Sequence, residues 1–136
     1  MIMTERIDPI KLHKDASALM EQGKFELARD QFAKVAELYY KGQNYFGSAE
    51  MYYKAGECSF NLKEYEKALE FFTKSSEISF NKGFERYGIS ALEQARECQK
   101  ALGNTKEVEE ISKKIDAFNK KQEEEAASES SFSVFS

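Results

Sequence analysis

The sequence predicts an all-α fold, an α-solenoid built of about three antiparallel helical hairpins with six helices in all. Three observations predict it. The first is an internal repeat with a period of 40 residues. Phe25, Glu26, Ala28, Phe32, Lys34, Glu37, Leu38 and Tyr40 align with Tyr65, Glu66, Ala68, Phe72, Lys74, Glu77, Ile78 and Phe80. The next shift carries Ala55, Glu57, Cys58 and Leu62 onto Ala95, Glu97, Cys98 and Leu102. Stacked repeats of this length are the signature of a solenoid, because one unit cannot bury its apolar face alone. The second observation is helical periodicity. Leu12, Ala16, Leu19 and Met20 form one apolar stripe, Ala28, Phe32, Val35 and Tyr39 another, and Ala68, Phe72, Ser75 and Ile78 a third. The third is the scarcity of breakers. One Pro and seven Gly are too few for the frequent turns of an all-β fold.

The elements follow in chain order from their caps. Asp8 supplies a carboxylate to the first free backbone N–H, and Pro9 has no N–H to lose, so helix 1 runs from Pro9 to about Gln22. Gly23 is placed to take the left-handed cap. Helix 2 covers Phe25 to Lys41 and stops at Gly42. Helix 3 covers Tyr45 to Leu62, helix 4 Glu64 to Asn81 with Gly83 at its end, and helix 5 Phe84 to Leu102 with Gly103 at its end. Asn104 caps helix 6, and Glu107 is spaced to bond back to it. Helix 6 keeps its apolar spacing through Val108, Ile111, Ile115 and Phe118 and fades between Gln122 and Glu125. The chain thus divides into an extension over 1–8, the repeat domain over 9–122 and a tail over 123–136. The tail is acidic and Ser-rich, a composition that predicts disorder, and it ends in Phe132-Ser-Val134-Phe135.

Composition excludes several classes of function. The net charge of -4 lacks the basic excess with which a domain grips phosphates, so nucleic acid is not an expected partner. No apolar run reaches the length that spans a bilayer, and Met1 to Lys14 lacks the apolar stretch of a signal peptide. The cysteines, Cys58 and Cys98, have no C-x-x-C spacing, which fits a reduced, cytoplasmic setting. His13 is the single histidine, so no cluster is available for metal or acid–base work. A Gly-rich phosphate loop is also missing, and neither an enzyme nor a cofactor is expected. The Glu and Lys residues at helical spacing read as solvated faces.

The unit Gly23-Lys24-Phe25-Glu26-Leu27-Ala28 through Phe32 resembles the tetratricopeptide (TPR) repeat, and Lys63-Glu64-Tyr65-Glu66-Lys67-Ala68 through Phe72 resembles it without the Gly. The small residue of the first helix is Ala16 and then Gly56. Arg96 stands there in the third copy, with Ala95 beside it. The period of 40 exceeds the usual length of about 34, and Tyr40 and Phe80 stand where a TPR unit often ends in Pro. Ala49-Glu50-Met51-Tyr52-Tyr53-Lys54-Ala55-Gly56 is similar to strings in the soluble attachment proteins (SNAPs) of vesicle fusion, whose hairpins are longer. The TPR likeness covers about residues 9–119.

The resemblance implies a right-handed superhelix whose concave face, made by the first helix of each hairpin, binds a protein or peptide partner. Carried onto this chain, that face holds His13, Lys14, Ser17, Met20, Tyr53, Lys54, Glu57, Phe60, Glu93, Gln94 and Lys100. His13 and Ser17 stand where some TPR domains place the Lys and Asn that clamp a terminal carboxylate, so that clamp is not expected here. Two further expectations stand beside the groove. One is self-association through the end helices or through Phe132, Val134 and Phe135 of the tail. The other, implied by the SNAP likeness, is an adaptor in membrane traffic.

Overall fold

The computed structural model describes residues 7–135, and the side chains of residues 7–130. It contains six helices: α1 (Pro9–Glu21), α2 (Phe25–Lys41), α3 (Tyr45–Asn61), α4 (Tyr65–Asn81), α5 (Glu85–Ala101) and α6 (Thr105–Phe135). Each packs on the next in chain order, as the short connections require. The result is an all-helical stack with no strand among the described residues.

One local device repeats at every connection. Residues 23, 43, 63, 83 and 103 all lie in the left-handed region, with φ from 60° to 85°. Each donates its N–H to the carbonyl three residues back, and the following residue reaches back five. Gly23 N–H meets Met20 O at 3.0 Å and Lys24 N–H meets Leu19 O at 2.9 Å; Gln43 and Asn44 repeat the pattern on Tyr40 and Tyr39 at 3.0 and 2.8 Å. These are Schellman turns, which satisfy the last helical carbonyls. Gly23, Gly83 and Gly103 occupy the position at no steric cost, whereas Gln43 and Lys63 carry a Cβ there. Gly42 stops α2 as the sequence predicts, capping it at φ -83°, and the next residue, Gln43, takes the left-handed conformation. The strict spacing of 20 residues between turns decides the matter, and the side chain at 43 bears the strain.

N-terminal caps differ in the same way. Asp8 Oδ1 accepts from Ile10 N–H at 3.0 Å, as the sequence predicts. Asn44, not singled out, caps α3 by accepting from Gly47 N–H at 2.9 Å. Asn104 directs its amide to Gln99 Oε1 at 2.7 Å, and the reciprocal bond to Glu107 is not among those formed. The helix α6 also continues through 123–135, where the composition predicts a disordered tail. Its Glu and Ala residues there are good helix formers, so the helix extends on propensity with every side chain from Glu123 to Ser130 exposed. The side chains of Phe132, Val134 and Phe135 lie outside the described ones.

Two apolar clusters hold the stack. Ala16, Ala28, Phe32, Val35, Ala36, Met51, Ala55 and Cys58 form the first, and Ala68, Phe72, Ala95 and Cys98 the second. Small residues set the helix spacing. A Cβ on Gly56 would lie 2.8 Å from the Phe72 ring, so only Gly lets α3 approach α4 this closely. Buried hydroxyls bind neighbouring helices: Ser48 Oγ donates to Ala36 O at 2.8 Å and Ser75 Oγ to Ala49 O at 2.7 Å. Buried charge is paired. Arg29, 6% exposed, donates to Glu64 Oε2 at 2.6 Å and to Asp30 Oδ1 at 3.0 Å, which ties α2 to the start of α4.

Candidate functional site

On α3, Phe46, Ala49, Glu50, Tyr53, Lys54 and Glu57 recur at steps of three and four, so they share one face of the helix. That face meets Tyr87 and Ser90 of α5 across a pocket of about 340 Å³, with Ser75 and Ser79 of α4 at its floor. The pocket exists because α4 is narrow here. Ser75 and Ser79, one turn apart, are 3% and 1% exposed and leave the space that larger side chains would fill.

The walls are aromatic and interlocked. Phe46 meets Tyr87 edge-on at 4.7 Å between ring centres and Phe84 at 5.3 Å. Tyr53 meets Phe72 edge-on at 5.2 Å, which anchors it to the core beneath. Such pairs hold the rings in fixed orientations. The polar groups are unevenly satisfied. Ser75 Oγ has its carbonyl partner, but Ser79 Oγ is buried with no hydrogen-bond partner among the described residues. An orphaned hydroxyl carries a desolvation cost of about 1–3 kcal/mol until a partner arrives.

Charge in the pocket is acidic in balance, with Glu50 and Glu57 against Lys54. Burial pushes the Glu57 carboxyl above its ordinary range, and Lys54 pulls it back in part. The Lys54 ammonium stands 6.0 Å from the centre of the Phe32 ring of α2. Burial raises the Tyr53 hydroxyl, the Glu57 and Glu93 carboxylates raise it further, and Gln94 opposes them.

Of the predicted set, Tyr53, Lys54 and Glu57 line the pocket, while Glu93, exposed, and Gln94, half-buried, are not among its lining residues. The others serve elsewhere. His13 Nδ1 lies 3.3 Å from Tyr39 Oη, joining α1 to α2. Met20 packs on the first core cluster and Phe60 on the second, with Phe60 edge-on to Tyr65 at 5.2 Å. Lys100 pairs with Glu97 at 3.2 Å, while Lys14 is exposed and Ser17 half-buried. The sequence reading did not place Phe46, Glu50 or Tyr87 in the site. Phe46 and Glu50 stand two turns and one turn before Tyr53 and Lys54 on the same helical face, a spacing that was open to reading. Tyr87 and the serines of α4 enter through tertiary packing alone.

Neither thiol is activated. Cys58 and Cys98 are buried, and burial, followed by the charges of Glu57 and Glu97, pushes each from 9.0 to about 11. Among the described residues no group of His, Cys, Asp and Glu is assembled to hold a metal ion, and no helix is long and apolar enough to cross a membrane. Comparison of the chain with protein-family models, curated proteins and solved structures finds no match.

Proposed function

We infer that the protein is a TPR-like, non-enzymatic interaction module whose α3–α5 groove binds a peptide or helix of a partner protein. The observation that carries this reading is the aromatic pocket on the face of the first helices. Its rings are held by edge-on packing, so a bound side chain meets a surface already formed and little ordering entropy opposes it. Concave sites with apolar walls and a few convergent polar groups are where ligands bind. Aromatic residues are also the ones that most often dominate binding energy in protein interfaces. Two free thiols accord with a cytosolic, reducing setting.

A selection from displayed random peptides tests the reading. The immobilised chain should enrich a related family of sequences, and Tyr53→Ala/Tyr87→Ala should release that family with its helical circular dichroism intact. Enriched peptides that bind the double variant equally well would remove the groove from the account.

Self-assembly is the second reading, and one observation favours it. The side chains of Glu123–Ser130 on α6 are all exposed, a surface on which another copy can pack. Sedimentation equilibrium of the full chain beside a chain ending at Gln122 separates the two. A concentration-dependent dimer lost on truncation would favour assembly through the tail.

A further inference from the structure

We propose that the α3–α5 pocket recognises an arginine side chain of its partner. This assignment rests on the groove reading above and gives that groove its chemistry. Two independent features converge on a guanidinium. The first is charge: Glu50 and Glu57 line the space, with Lys54 as the one cation among its lining residues. The second is the wall. Phe46, Tyr53 and Tyr87 present ring surfaces at the mouth, on which a flat, weakly hydrated cation stacks.

A guanidinium meets these demands together. Its five N–H donors lie in a fixed fork, so it can serve a carboxylate on each side while its flat face stacks on a ring. An ammonium has three donors on a point charge and no face to stack. An acidic ligand is opposed by the carboxylates, and a purely apolar one would cover both Glu side chains without giving them partners. Glu57 itself is held at a cost in the free chain, since burial disfavours its charge, and an incoming cation relieves that cost. Lys54 is the competitor already present. Its charge repels an arginine, so its removal should help binding.

The test uses synthetic peptides taken from the displayed selection, each paired with a copy in which arginine is replaced by neutral citrulline and another in which it is replaced by lysine. Affinities are read by calorimetry against the full chain and against Glu57→Gln, Glu50→Gln and Lys54→Met. The expected result is that selected peptides carry arginine and that citrulline weakens binding at least about tenfold, as loss of a charge-assisted pair should. Glu57→Gln should abolish most of the difference between arginine and citrulline, and Lys54→Met should tighten the arginine peptides. Unfolding curves on each variant show whether it is folded. Selected peptides without arginine, or citrulline copies that bind as well, would overturn the proposal while leaving the groove in place. Lysine copies within about twofold of arginine would overturn the guanidinium assignment. Failure to enrich any peptide would instead sink the groove reading on which this one rests.

Discussion

Gly56 and Phe72 show how single residues set this architecture. The ring of Phe72 is 1% exposed and lies against the backbone of Gly56, where an added Cβ would come within 2.8 Å of it. Gly56→Ala should therefore cost about 1–3 kcal/mol through overpacking, and Phe72→Ala about 3–5 kcal/mol through the cavity it leaves, both read from denaturant unfolding. A Gly56→Ala protein as stable as the parent would mean that α3 and α4 are less closely packed than described. The small residue at 56 and the ring at 72 were both legible in the repeat. What the sequence could not show was that Ser75 and Ser79, on the same helix as that ring, would open a pocket instead of filling the core.

The cysteines give a residue-scale prediction with a pH dependence. Each thiol is raised from 9.0 to about 11 by burial first and by an adjacent carboxylate second. The folded chain therefore holds these protons over a range in which the unfolded chain has lost them. Their contribution to stability is fully present below pH 9 and is lost as pH rises through about 11. Tyr39, Tyr52 and Tyr53 are shifted in the same direction, so they act with the same sign at high pH. Urea midpoints should fall across that alkaline window, and Ellman's reagent at neutral pH should label neither cysteine until the chain unfolds. Prompt labelling of the native protein would contradict the burial.

Among the elements, the five turns carry the regularity that the helices only approximate. Their recurrence every 20 residues explains why the helix boundaries were readable to within a residue from α1 through α5. It also holds where no Gly stands at the left-handed position, since Gln43 follows the Gly42 stop of α2 and Lys63 the end of α3. Gln43 and Lys63 hold left-handed backbone that Gly adopts freely. Gln43→Gly and Lys63→Gly should each leave stability unchanged or raise it by up to about 1 kcal/mol, the relief of strain offset by the greater freedom of Gly in the unfolded chain. A clear loss in both would show that those side chains contribute contacts beyond the turn. Helix α6 is the other lesson. Its Glu-rich end reads as disorder from composition, yet Glu and Ala favour helix, and nothing packs on Glu123–Ser130 to decide between them. Ending the chain at Gln122 should shift the unfolding free energy by less than about 0.5 kcal/mol.

At the level of the whole molecule, the hairpin stack was the most legible feature, because a repeat and a helical period point to the same answer. The groove was half legible. Tyr53, Lys54 and Glu57 share a face that the repeat register predicts, whereas Ser75 and Ser79 come from the second helix of the same hairpin and Tyr87 from the next hairpin, and they meet that face only through tertiary packing. His13, Met20, Phe60 and Lys100 sit at equivalent register but are drawn into packing or local pairs. A repeat register thus locates a face, and the pocket within it depends on which neighbours are small.

The central claim is that the face between α3 and α5 is where a partner binds. The measurement that tests it most directly is the amide ¹H–¹⁵N spectrum of the chain titrated with a peptide from the displayed selection. The account predicts saturable shifts concentrated in α3 around Phe46–Glu57 and in α5 around Tyr87–Gln94, with the exposed stretch of α6 unmoved. Shifts centred on α6, or on α1 with α3 and α5 silent, would contradict it.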